Sequence, residues 1–276
     1  MEACPAVPGG ASKVALLGGI YSNHIALRQA IDDARRRGAE AIFCLGDLGA
    51  FGPHPDRVYP LLKESGIITL AGNYDDSLAK GLDDCQCGYT DPRDNHFALL
   101  SYRYTFSHTS DENRRWLRAL PREIRFLMGG HRVLLSHGSP RRINEFLWES
   151  TTPDHFLEKL FREQEADAIF VTHTGIKWKR DLPSGKLFAN VGVLGRPEND
   201  GTTRVWYALL EESSAPPGVK PCLRVGFVPV EYDYRELARE MREEGLPEEF
   251  VKTIETGWWT TCLEILPAKE RQRGKW

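Results

Sequence analysis

The stretch VALLGGIYSNHIALRQAIDDARRRGAEAIFCLGDLG, residues 14–49, decides the architecture. It opens on an apolar run at residues 14–17, short enough to be a buried strand and too short to be a helix. Residues 24–37 follow with Leu27, Ala30, Ile31 and Ala34 at helical spacing, and Gly38 stands where such a helix stops. A second apolar run at 41–45 then leads straight into Gly46-Asp47. Strand, helix and strand in this order read as the opening of an α/β fold.

Outward from there the alternation continues. Residues 57–64 read as a helix and 67–70 as a third strand, which ends on Gly72-Asn73-Tyr74-Asp75. The polar segment 81–95, carrying Cys85 and Cys87, breaks the rhythm before a region rich in Tyr and Phe. Residues 113–120 suggest a helix, and 122–128 with 131–135 a strand pair joined at Gly129-Gly130. A helix is expected at 153–164 and a buried strand at 168–171. Residues 175–181 and 186–191 flank Pro183-Ser184-Gly185, a hairpin signal. Strand character returns at 204–210 and 223–232, and helices at 234–244 and 248–256. Residues 212–221, rich in Ser, Pro and Gly, read as a flexible loop, and the charged tail after residue 266 as partly disordered. Neither a repeat nor a long linker divides the chain, so one domain over residues 1–276 is expected, with a core at about 13–259 and a tail at 260–276.

A chain of 276 residues with 41% hydrophobic and 27% charged residues is ordinary for a soluble globular protein. A net charge of −3 gives no footprint for a nucleic-acid backbone, and Arg35-Arg36-Arg37 beside Asp32 and Asp33 reads as a solvated helix face. The run at 14–17 is far too short for a membrane span and lacks the layout of a secretory signal. Cysteines at 4, 44, 85, 87, 222 and 262 are scattered, without the framework of a small secreted scaffold. A reducing, cytoplasmic setting is expected, with neither nucleic acid nor membrane as a partner.

Four motifs then carry chemistry. Asp47, Asn73, His137 in Ser136-His137-Gly138 and His173 in Thr172-His173-Thr174 each follow an expected strand. Open α/β sheets bind ligands at the carboxyl ends of their strands. Carboxylate, amide oxygen and imidazole are ligands for hard or borderline divalent cations. Singly, each residue reads as a turn, a cap or a hydrogen-bonded structural group. Together, in order and each at a strand end, they point to one cation. Arg141 and Arg142 follow directly, where a guanidinium would grip a phosphate bidentately; an ordinary exposed pair is the alternative. Trp148, Trp258 and Trp259 are expected to pack in the core or under a loop.

These motifs resemble the calcineurin-like metallophosphoesterase family, in its compact bacterial single-domain branch, over nearly all of residues 14–258. Gly46-Asp47-Leu48 continues to Gly52-Pro53, and His137-Gly138-Ser139-Pro140 matches a family turn. Asn190-Val191-Gly192-Val193-Leu194-Gly195-Arg196-Pro197, Glu231-Tyr232-Asp233 and Gly245-Leu246-Pro247 also fit. The resemblance implies a four-layer αββα sandwich with mixed sheets and the active site at the sheet edges. It implies that Asp47 bridges two cations, that Asn73, His137 and His173 complete the second cation's site, and that Asp47, Asn73 and His137 carry catalysis. The first cation's other ligands would be an Asp at position 19 and His at positions 21 and 175. The chain has Gly19, Tyr21 and Gly175 there, and LGGIYSNHIAL at residues 17–27 replaces the family's Ser-Asp-Ile-His-Gly-Asn motif.

The expectation is therefore a metal-dependent phosphoesterase with a degenerate first site, hydrolysing a small phosphomonoester or phosphodiester. One ion rather than two is expected, Mn, Fe or Zn, and a homo-oligomer is compatible with the sequence. The alternative is a non-catalytic binding or scaffold protein that keeps the phosphoesterase fold. Tyr21 reads either as a phenolate ligand or as an aromatic packed into the vacated space. His24, His54, Cys85 and Cys87 lie near enough in sequence to replace lost ligands. The two cysteines read otherwise as plain loop thiols or as a metal or redox sensor. Tyr74 stands where some family members carry a His as general acid, and Asp75 would orient a neighbour or cap the following turn.

Overall fold

The computed structural model describes residues 10–214, 216 and 220–272. The first nine residues fall outside them, and the expected flexible loop at 212–221 and the tail after 266 fall partly outside.

Strand β1 (Lys13–Leu17) is buried throughout from Val14 on, as a central strand covered on both faces must be. Asn23 starts helix α1 (His24–Arg36) by accepting the Ala26 N–H at 2.9 Å. Ala26, Leu27, Ala30, Ile31 and Ala34 form the buried stripe of that helix. Strand β2 (Ala41–Cys44) returns parallel to β1. A 3₁₀ turn at Pro55–Arg57 and helix α2 (Val58–Glu64) then lead to β3 (Ile68–Thr69). Three helices follow: α3 (Asn73–Lys80), α4 (Pro92–Ser107) and α5 (Asp111–Leu117). The chain goes on to β4 (Glu123–Met128), β5 (His131–Ser136), α6 (Asp154–Gln164), β6 (Ala168–Val171), β7 (Lys177–Asp181) and β8 (Leu187–Val191). It ends with β9 (Val205–Glu212), β10 (Leu223–Val230), α7 (Tyr234–Glu243), α8 (Glu248–Thr256) and α9 (Ala268–Gln272).

Two five-stranded mixed sheets result, with orders β10-β9-β1-β2-β3 and β4-β5-β6-β8-β7. Period-2 alternation assigns their side chains to layers. Val14, Leu16, Phe43 and Leu45 of the first sheet meet Val133, Leu135, Phe170 and Ala189 of the second between the sheets. The intervening residues Ala15, Leu17, Ile42 and Cys44 face α1, α2, α7 and α8. On the far side, Leu134, Ile169 and Phe188 face Leu157, Leu160 and Phe161 of α6. This is the expected αββα sandwich. No helix among the described residues is long and apolar enough to cross a membrane.

Three helices depart from the sequence reading. Helix α3 begins at Asn73 itself, where a turn was expected, because Asp75 in its first turn reaches back to the Gly72 N–H at 2.8 Å. Helix α4 occupies the Tyr- and Phe-rich region, capped by Asp91 with Pro92 at its first position. Part of the charged tail forms α9.

Candidate metal centre

Asp47 follows β2, Asn73 follows β3, His137 follows β5 and His173 follows β6, so both sheets deliver residues to one edge. The close fit needs glycine at Gly46, which has φ +86°; a Cβ there would lie 2.1 Å from Gly72 N. Ligand atoms of Asp47, His137 and His173 all fall within 4.8 Å of one another, and all three residues are buried. His137 Nε2 lies 3.3 Å from Asp47 Oδ2 and 3.2 Å from His173 Nδ1. On its other side, His137 Nδ1 is 2.6 Å from the Leu45 carbonyl, which ties the second sheet to the first. A carbonyl only accepts, so Nδ1 carries a proton, and Nε2 is the ring nitrogen turned toward Asp47 and the centre.

Asn73 is held by its amide nitrogen, which donates to the Cys85 carbonyl at 2.8 Å and faces Cys87 Sγ at 3.3 Å. Its Oδ1 is buried with no hydrogen-bond partner, and so is His173 Nε2. Asp47 Oδ1 accepts the Tyr74 N–H at 3.1 Å, which seats the first turn of α3 against the same carboxylate. Asp75 accepts from Asp47 N at 2.7 Å, Leu48 N at 3.1 Å and Gly72 N, so it both orients and caps, as expected.

Burial opposes charge on Asp47 and His137 alike, but their mutual attraction prevails: Asp47 lies below and His137 above the usual value. Burial and the neighbouring His137 push His173 down to about 3, so it is neutral with a free lone pair. Burial and Asp47 push Asp75 up to about 6. A carboxylate, two imidazoles and an unpartnered amide oxygen, all withdrawn from water, fit a transition-metal cation.

Of the other expected participants, Cys87 lines the cavity that Asp47 and His173 share, and Arg141, Arg142, His24 and His54 do not. Arg141 and Arg142 are exposed; Arg141 pairs with Glu145 at 3.8 Å and lies over Phe156. His24 faces Glu240 at 3.7 Å, and His54 faces Glu244 at 3.9 Å, so both turn toward α7. Cys85 and Cys87 are joined in a disulfide, not the reduced thiols expected. Gln86 between them has φ +51°, the left-handed bend that returns the chain on itself.

Tyr21 is buried, and its ring takes the space a side chain at position 19 would fill: a Cβ on Gly19 would lie 2.7 Å from Tyr21 Cε1. Burial holds its phenol well above the ordinary value, against the pull of Arg196. Position 175 is filled likewise, since a Cβ on Gly175 would lie 2.9 Å from the Trp259 ring and 3.3 Å from an Arg196 amino group. Trp148 and Trp259 are buried, as expected. Arg196 escaped the sequence reading as a site residue. Its only signal was a lone basic residue in the Gly-Arg-Pro turn beyond β8.

Residues 13–215 match the family described as the calcineurin-like phosphoesterase superfamily domain. The chain belongs to that superfamily. This calcineurin-like phosphoesterase is similar to an uncharacterized protein of Methanocaldococcus jannaschii, 27% identical over 86% of this chain and 95% of the other. Among solved structures it is similar to a metallophosphoesterase from Sphaerobacter thermophilus, 26% identical with TM-score 0.65, covering 90% of this chain and 100% of that one. A hypothetical protein from Pyrococcus horikoshii shares the fold with TM-score 0.71 at 23% identity, covering 90% and 99% of the two chains. The family is metal-dependent, which agrees with the ligand set gathered at this edge.

Proposed function

We propose that this protein hydrolyses a small phosphomonoester or phosphodiester with one divalent cation held by Asp47, Asn73, His137 and His173. The observation that carries this reading is the burial of four ligand groups at one edge, with Asn73 Oδ1 and His173 Nε2 left unpartnered. A cation bound there would supply Lewis acidity to a phosphoryl oxygen and would acidify a water. Asp47 contributes the negative charge, and Asp75 locks its backbone. The Leu45 carbonyl holds the Nδ1–H of His137, so that Nε2, once it gives up its proton, would be the nitrogen that ligates the cation. The aromatic walls beside them, Tyr21, Phe51, Tyr74 and Phe97, lower the local polarity and strengthen charge interactions inside.

One cation rather than two is favoured by what fills the other position. Gly19 and Gly175 offer no ligand atom, and the Tyr21 ring, Trp259 and Arg196 occupy the space. Manganese, iron and zinc all suit the mixed oxygen and nitrogen set.

Plasma mass spectrometry on protein purified without chelator or nickel is expected to find about one equivalent of Mn, Fe or Zn per chain. Hydrolysis of p-nitrophenyl phosphate or its diester should accompany it, and His137→Ala should lose both metal and turnover. A wild-type protein that takes up no Mn²⁺ and cleaves neither ester overturns this reading in favour of a scaffold.

A further inference from the structure

Arg196 is a cation without a counter-charge. Its side chain is 6% exposed, and it makes no hydrogen bond or ion pair with any described residue. Its Nε is buried and unpartnered. The guanidinium stacks on Trp259 with 3.6 Å to the ring centroid, and the Tyr21 and Phe51 rings lie 5.7 Å away. Aromatic faces soften the burial of a cation but do not neutralise it. A buried charge lacking an opposite partner remains destabilising. The half-buried Lys177, by contrast, is paired with Glu198.

The position matters as much as the missing partner. Arg196 lines the same cavity as Asp47 and His173, with Tyr21, Tyr74 and Cys87 around them. About 40 Å³ of that cavity is open to water, room for a few water molecules or for one phosphoryl group, and far less than a nucleotide needs. Five N–H donors in a planar fork match the geometry of phosphate oxygens. Glycine at 175 is what makes room for the fork, since a side chain there would meet Arg196 and Trp259.

We propose that Arg196 is the phosphoryl-binding group of this cavity, gripping the oxygens of a bound phosphate beside the cation centre. The proposal rests on the phosphoesterase reading for its ligand, but the anion site can be tested apart from the cation. The scissile group enters the cavity and the remainder of the ester stays outside, so substrates that present an exposed phosphoryl group are favoured over bulky internal diesters.

The test is calorimetric titration of inorganic phosphate into wild type, Arg196→Gln and Arg196→Lys, each Mn²⁺-loaded and chelator-treated, with metal content and melting temperature recorded. The expected result is about tenfold weaker phosphate binding in R196Q in both forms, with R196K between and the metal content of all three equal. In ¹⁵N-arginine-labelled wild type, the Nε–H resonance absent from R196K should shift on phosphate addition, which serves if R196Q fails to fold. Phosphate binding unchanged in R196Q, or an Nε–H resonance unmoved by phosphate, overturns the proposal and leaves Arg196 an aromatic stack. Arginine-dependent phosphate binding by a protein that takes up no metal upholds the anion site and sinks the cation reading. Metal uptake without arginine-dependent phosphate binding does the reverse.

Discussion

Asp47 and His173 both hold left-handed backbone, φ +54° and +68°, which costs a residue with a Cβ about 1 kcal/mol or more. That geometry persists at Asp47 because Asp75 collects its N–H together with those of Leu48 and Gly72. Asp75→Asn offers one carbonyl oxygen where two carboxylate oxygens served, and turns an amide N–H₂ toward a backbone donor. The expected cost is about 2–3 kcal/mol of stability, with Mn²⁺ affinity falling about 10- to 100-fold as Asp47 loses its orientation. Thermal melts with and without Mn²⁺ measure both; an unchanged affinity would show that Asp47 is positioned by other contacts. At this scale the sequence was most legible where a residue type and a strand end coincide, as for Asp47, Asn73, His137 and His173. It was silent on Arg196, since a sequence displays a charge but not the lack of a partner. Cys85 and Cys87 were visible too, but their pairing depends on the bend at Gln86.

Among elements, the second sheet is pinned at its start by one carboxylate. Asp167 accepts the Arg132 N–H at 2.9 Å and the Lys186 ammonium at 2.6 Å, joining the approaches to β5, β6 and β8. Partial burial opposes its charge, but the Arg132 N–H and the Lys186 and Arg132 side chains hold it far below the usual carboxylate range. A carboxylate with a depressed folded-state pKa stabilises fully above its unfolded value, about pH 4, and loses that contribution as pH falls toward the folded one. Asp167→Asn should therefore cost about 1–3 kcal/mol near neutrality. Urea unfolding should show the gap to wild type narrowing steadily as the pH drops from about 4 toward 2. An equal gap at both ends would mean that the loss is packing, not charge. Strands such as β1, β2 and β6 were readable because each is a short apolar run between polar motifs. Helix α4 was not, because Phe97, Ala98, Ser101, Tyr102 and Thr105 make its buried stripe from residues as common in strands and loops. Helix α3 hid behind a Gly-Asn pair that reads as a turn until Asp75 is seen to close it.

Across the whole molecule, the segment after α8 ties the two helical faces together over the site. Arg93 of α4 donates to the Thr260 carbonyl at 2.8 Å, and Asp94 accepts the Ile265 N–H at 2.9 Å. Glu270 accepts from Ser150, which lies on the approach to α6. Trp259 is the pivot of this strap: its N–H donates to Asn199 Oδ1, its indole N–H donates to the Pro197 carbonyl, and its ring carries the Arg196 guanidinium. Removing that ring takes away a buried aromatic and, among the described residues, the nearest aromatic face to the Arg196 guanidinium. Trp259→Ala should lower stability by about 3–5 kcal/mol, while Trp259→Phe, which keeps a ring there, should lose much less. The proposed cation ligands follow β2, β3, β5 and β6 and none lies on this strap, so W259A that still folds should bind Mn²⁺ as wild type does. Phosphate binding should weaken, because the fork of Arg196 is no longer held flat against a wall. Paired Mn²⁺ and phosphate titrations on the two variants separate these effects. Loss of Mn²⁺ in W259A to the extent seen in H137A would mean that the strap, and not the strand ends alone, builds the cation centre.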